Sequence, residues 1–150
     1  MVRRVLVVAA WTMLGLLVLA QIPPLPGRRT NPPVVAEPAW DASVTREMAR
    51  TACFDCHSNE TRWPWYSAVA PASWLVIRDV NGGREELNVS EWGTRREQAD
   101  GDDAAEAVRD GSMPMPIYLP LHPEARLDDA ERETLAQGLV RTLGRGEDDD

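Results

Sequence analysis

Lysine is missing from this chain of 150 residues, and all sixteen of its basic residues are arginine, a bias attributable to genomic base composition rather than to mechanism. Net charge is −8. That balance argues against nucleic acid as a partner, because phosphate binding depends on excess cationic side chains. Cysteine and histidine are also scarce, with two of each, so a closed four-ligand zinc site would need both cysteines, His57 and the distant His122. No stretch alternates apolar and polar residues long enough to read as a strand, and no repeat is apparent. No constellation of catalytic acid, base and nucleophile is visible either.

What is present is concentrated in Cys53-Phe54-Asp55-Cys56-His57. Cys-x-x-Cys-His is the pattern by which c-type haem is attached to protein: two thiols one helical turn apart reach the two vinyl groups, and the adjacent imidazole reaches the iron. Cys-x-x-Cys alone also suits a redox dithiol or half a zinc site, but the βαβ context of a dithiol oxidoreductase is missing.

Ahead of the motif, Met1 to Arg4 carries two arginines and Val5 to Ala20 is sixteen residues without a charge. The run exceeds a typical signal-peptide core of about 7 to 15 residues, which favours an uncleaved anchor (residues 1–22) over a signal cut after Ala20. The basic end then stays in the cytoplasm and the remainder is exported. Residues 23–40 hold Pro23, Pro24, Pro26, Pro32, Pro33 and Pro38 and read as an extended spacer. Residues 41–144 are enough for one small core, and residues 145–150 form an acidic tail.

Periodicity within 41–144 is helical. Asp41 or Ser43 is placed to cap a first helix running into the cysteines, and Pro71 to Val80 reads as a second, stopped by Gly82-Gly83. Ser90 is placed to cap a turn around Trp92. A third helix is interrupted or begins near Asp100-Gly101-Asp102 and continues to Val108, ending at Gly111, and a last one starts at Asp128 with Glu131 three residues on and Leu135, Leu139 and Leu143 at i, i+4, i+8. The fold expected is all-α, a small helical domain with long, proline-bearing loops behind one N-terminal transmembrane helix.

Several residues are candidates to surround a porphyrin. Trp63, Trp65 and Tyr66 could wall its edge or bond a propionate, and Arg62 or Arg84 could pair with propionates through a guanidinium fork. For the second axial position of iron, Met113 and Met115 lie in the proline-stiffened run Gly111-Ser112-Met113-Pro114-Met115-Pro116, and His122 is their rival. Structural roles compete with each of these: rings as filler, arginines as surface groups, and His122 as the mouth of the last helix.

The chain resembles the haem-binding domain family of membrane-anchored monohaem c-type cytochromes. The resemblance rests on Asn31-Pro32-Pro33, the run Cys53 to Thr61, Trp63-Pro64-Trp65-Tyr66, Ala70-Pro71, Ser73-Trp74, Asp79-Val80, Gly83-Arg84, Leu87-Asn88 and Trp92, and continues in Met113-Pro114, Tyr118, His122-Pro123 and Leu127. It implies one N-terminal anchor, a periplasmic cytochrome c-like domain, one covalent haem c with its iron on Cys53, Cys56 and His57, and Met113 as the methionine of a Gly-x-Met-Pro pattern. Val89 stands where the family tends to show phenylalanine and Met115 where a second proline is common, so Met113 and Met115 both stay open. The function expected is a non-enzymatic carrier of single electrons, tethered to the bacterial cytoplasmic membrane and serving periplasmic or membrane redox proteins. A haem sensor or peroxidase with a dissociable sixth ligand is the alternative, followed by a thiol-disulfide oxidoreductase.

Overall fold

The computed structural model describes residues 1–21, 29–94 and 98–144. The acidic tail and the first three spacer prolines lie outside the described residues. Among the described residues six α-helices account for the regular structure: α1 (Val2–Ala20), α2 (Ser43–Ala52), α3 (Phe54–His57), α4 (Ala72–Glu86), α5 (Gly101–Arg109) and α6 (Asp129–Leu143). Two 3₁₀ turns, Trp65–Ala68 and Pro123–Ala125, complete it, and among the described residues no strand forms beyond one isolated parallel bridge between Ala36 and Glu91. The all-helical expectation holds.

The chain divides into two compact units, Met1–Thr30 with Trp63–Asp79, and Asn31–Arg62 with Val80–Asp150. In the first, every α1 residue from Val2 to Leu19 is exposed. At about 1.5 Å per residue its 19 residues measure about 28 Å, close to the roughly 30 Å of a hydrocarbon core. By length and composition it is the one helix among the described residues able to cross a membrane.

The second unit is built on α5 and α6. Asp100 caps α5 by accepting from the N–H groups of Asp102 (2.8 Å) and Asp103 (3.0 Å). Asp128 and Glu131 form the expected capping box on α6, with reciprocal bonds of 2.8 and 2.9 Å. Between the helices lie Ala105, Val108, Leu135, Ala136 and Leu139, all buried, and the same core takes in Phe54, Leu87 and Val89. Burying one such aliphatic side chain contributes about 1.5–3 kcal/mol. The bidentate Arg109–Glu133 pair (2.9 and 3.0 Å) bridges the same two helices but is solvent-exposed and screened, so apolar packing decides the geometry. Helix α2 buries Thr45, Ala49 and Ala52 along one stripe, and Gly138 of α6 lets Thr45 pack directly on the α6 backbone.

Three local expectations are corrected. Neither Asp41 nor Ser43 caps α2, whose N-cap is Ala42; the Asp41 carboxylate is instead held by Arg141 Nε (2.7 Å) and Thr142 Oγ1 (3.3 Å). Ser90 is a buried acceptor for the Asn59 N–H (3.0 Å) rather than the cap of a turn. Gly82-Gly83 does not stop the second helix, and α4 runs through both to Glu86. The spacer, too, is fastened from Asn31 onward: Val35 and Ala36 donate to the Ser90 carbonyl (2.8 and 3.1 Å), Trp92 donates to that of Ala36 (3.1 Å), and Glu37 binds Arg46 through two 2.8 Å bonds.

Gly83 is explained by proximity, since a Cβ there would stand 2.7 Å from the Cys56 carbonyl oxygen, whereas one at Gly82 would meet nothing within 4 Å. Gly82→Ala is therefore expected to stabilise the protein by about 0.5–1 kcal/mol through helix propensity. Gly83→Ala should destabilise it by about 1–3 kcal/mol through overpacking against backbone. Midpoints of guanidinium unfolding check both, and equal shifts for the two variants would contradict the assignment.

Candidate functional site

Helix α2 ends by handing its last hydrogen bond to the motif: the Cys53 N–H donates to Ala49 (2.8 Å), and the Cys53 carbonyl then accepts from Cys56 (3.1 Å) and His57 (2.9 Å). Cys53 through His57 thus close one turn, α3. Phe54 fixes it by entering the core, 6.1 Å from the Trp40 ring, with the Arg46 guanidinium 5.8 Å over its face. Cys53 and Cys56 are unbridged thiols. Desolvation pushes Cys53 up to about 12, with Cys56 beside it adding to the rise, so its sulfur is a protonated thiol at neutral pH.

His57 is oriented from outside the motif. Its Nδ1 stands 3.1 Å from the Leu87 carbonyl oxygen, which only accepts, so Nδ1 carries the hydrogen and Nε2 keeps its lone pair. Burial holds the imidazole below its ordinary pKa and hence neutral. Leu87 is itself placed by its N–H bond to Gly83 (2.9 Å), and the Val89 N–H returns to the His57 carbonyl (2.9 Å). A neutral imidazole aimed by a backbone carbonyl is the preparation metal-binding histidines receive.

The loop after His57 is held by a polar network. Arg84, buried, donates from Nε to the Ser58 carbonyl (2.8 Å) and from a terminal nitrogen to Thr61 Oγ1 (2.9 Å) and Asn31 Oδ1 (3.2 Å). Its guanidinium clasps the chain itself, where sequence suggested a cofactor carboxylate. Asn59 ties the same loop to Pro33 (3.0 Å), to Glu91 (3.0 Å) and to Asn88 (2.9 Å).

Asp55 is the residue the sequence reading missed. Nearly buried, its carboxylate accepts the Arg62 N–H (2.8 Å) and, at 3.4 Å, Arg62 Nε through one oxygen, and the Tyr118 hydroxyl (2.8 Å) through the other. Arg62 is thereby paired with Asp55, whose charge holds the guanidinium pKa above its usual value. Tyr118 lies in the segment that carries Met113 and Met115, so this bond ties that segment to α3. Both methionines are half-buried, and the Met113 N–H donates to Ala107 (2.9 Å). The His122 ring stacks on Tyr118 (centroids 3.9 Å apart, 5° between planes), with Nδ1 3.3 Å from Glu124. Burial and the Asp55 bond raise the Tyr118 pKa, keeping the phenol a donor. Tyr118 was visible in the sequence as part of the family pattern and Asp55 as a variable position of the motif, but nothing local joined them. Trp63, Trp65 and Tyr66 belong to the first unit, where Trp65 is exposed and meets Tyr66 edge to face at 5.9 Å.

Two unbridged thiols and one tautomerically fixed imidazole thus share a single turn of this helical protein. Among the described residues no three His, Cys, Asp or Glu side chains are grouped as a bare metal ion would need. The donor set fits haem, which asks for one imidazole Nε2 and two thiols. A family model described as "Haem-binding domain" matches residues 15–141, and the chain belongs to that family. No curated protein and no solved structure matches it.

Tyr118→Phe leaves a nearly buried carboxylate oxygen without its donor and is expected to cost about 1–3 kcal/mol in denaturant unfolding. Tyr118→Phe in an Asp55→Ala background serves as the comparison, and an equal loss in the two backgrounds would show that Asp55 does not need the bond.

Proposed function

We propose that this haem-binding protein is a membrane-tethered c-type cytochrome that carries single electrons on the periplasmic side of the bacterial cytoplasmic membrane. The observation that carries the reading is the 3.1 Å approach of His57 Nδ1 to the Leu87 carbonyl, which leaves Nε2 as a neutral ligand one turn from two thiols. Cys53 and Cys56 hold one haem c through thioethers, and His57 ligates its iron. When bound, the haem supplies a one-electron iron couple. The chain's own part is to seat α3 on the core through Phe54, to fix the imidazole through Leu87, and to present a soft sixth ligand from the segment fastened by Tyr118.

Met113 is that ligand, with Met115 and His122 as alternatives; the stacking of His122 on Tyr118 and its approach to Glu124 give it other employment. The helical architecture of the described residues speaks against a dithiol oxidoreductase, whose usual context is a βαβ unit. The exposed apolar α1 supports the tether.

Two experiments test the proposal. Haem should stay with the polypeptide through denaturing electrophoresis; Cys53→Ala and Cys56→Ala should each weaken or abolish the haem stain, and His57→Ala should yield little holo-protein. Release of haem from the wild type in denaturant would exclude thioethers.

For the sixth ligand, Met113→Ala should remove the sulfur-to-iron charge-transfer band at the red edge of the visible spectrum, lower the potential and admit CO, since a thioether favours ferrous iron. Met115→Ala should do none of these. Rapid CO binding by the wild type would favour the sensor or peroxidase reading instead.

A further inference from the structure

Trp63 through Ile77 is fifteen consecutive residues without a charge, in a chain of which 27% is charged. The stretch is not buried to match: Trp65 is 80% exposed, Val69 47%, Leu75 42% and Trp74 41%. Large apolar side chains gathered within eleven residues mark a surface meant to be covered.

Their position says by what. Gln21 directly follows α1, and its side-chain amide grips both backbone groups of Ala70: Oε1 accepts the Ala70 N–H (3.0 Å) and Nε2 donates to the Ala70 carbonyl (3.3 Å). Nε2 also donates back to Leu17 (3.0 Å), so the amide is fixed to the last turn of the helix. If α1 spans the bilayer, Gln21 stands where the chain leaves hydrocarbon, and Ala70 is one hydrogen bond away. Val69 adjoins Ala70, and Trp74 and Leu75 follow within the first turn of α4, about 6 Å along its axis.

The local backbone also suits lipid, where unpaired peptide groups are costly. Val69 donates to Tyr66 (3.1 Å), Ser73 to Val69 (2.9 Å), Trp74 to Pro71 (3.1 Å), and Ser67 Oγ to Pro64 (2.6 Å). Exposed Arg78, at i+4 from Trp74 and i+3 from Leu75, adds a cation on the same side of α4, where anionic headgroups would meet it. Tryptophan is the residue enriched at the headgroup level, with an apolar body and a polar N–H.

We propose that the Trp65–Leu75 segment is a second membrane contact, which lies in the headgroup boundary of the bilayer that α1 crosses. The inference rests on the reading of α1 as a membrane anchor, and goes beyond it by placing a folded, non-spanning segment in lipid.

The test uses the full haem-loaded chain in vesicles of phosphatidylethanolamine and phosphatidylglycerol carrying an alkyne-tagged lipid, with the photo-crosslinker benzoylphenylalanine replacing Trp65, Val69, Trp74 or, as a report on α1, Leu14. Lipid adducts are expected at all four positions, and a Val69→Glu, Trp74→Glu pair should abolish the adduct at position 65 while leaving that at position 14. A lipid adduct at Leu14 with none at Val69 and Trp74 overturns the second contact and leaves the anchor standing. Protein adducts at Val69 and Trp74, to another chain or a second copy, overturn it in favour of a protein partner. Absence of lipid adducts at Leu14 itself removes the anchor and the inference with it.

Discussion

The hydrogen bond from His57 Nδ1 to the Leu87 carbonyl is the constraint on which the rest of the second unit depends. A backbone carbonyl cannot donate, so this one contact selects the tautomer and leaves the Nε2 lone pair free. It requires that the end of α4 stand against α3, and several unrelated features serve that approach. Gly83 has no side chain where the Cys56 carbonyl passes, Arg84 ties α4 to the loop beyond His57, and Val89 returns a bond to the His57 carbonyl.

A second link, from Asp55 to Tyr118, fastens the segment that carries Met113 and Met115 to α3. Asp55 lies between the two cysteines in sequence, so the segment it holds is referenced directly to the Cys53–His57 turn. On the proposed reading, this is how a methionine from more than fifty residues away is presented to iron without help from a neighbouring helix. The stacked His122 ring stiffens the same segment. Small side chains at Ala49, Ala105, Ala136 and Gly138 bring α2, α5 and α6 close together, giving the turn a rigid floor.

The elements legible in the sequence were those whose signals are local. The Asp128–Glu131 box, the helix start near Asp100 and the Leu135, Leu139, Leu143 ladder each sit within one or two turns of chain, and the structure has all three. Gly82-Gly83 misled because glycine pairs end helices by propensity. Here Gly83 answers to a steric neighbour 27 positions away in the chain, which overrides a cost of about 1 kcal/mol per glycine. Asp41 and Ser43 are good caps by type, but Arg141 and Thr142 claim Asp41 from across the fold. Arg84 illustrates the same limit, since composition shows a guanidinium and only packing shows that it turns toward the chain's own carbonyl.

By itself the sequence determined the class of protein and the chemistry of its motif: an apolar first helix, an all-helical remainder, and two thiols with an imidazole on one turn. These follow from side-chain type and from spacings shorter than a helix turn or two, which no tertiary arrangement alters. Tertiary structure alone decided which imidazole nitrogen is left free, which carboxylate anchors the methionine segment, and that Ala70 meets the end of α1. Each is a hydrogen bond between residues 30 to 63 positions apart. Such bonds form only once packing has brought their partners within about 3 Å, and nothing in local composition encodes that distance.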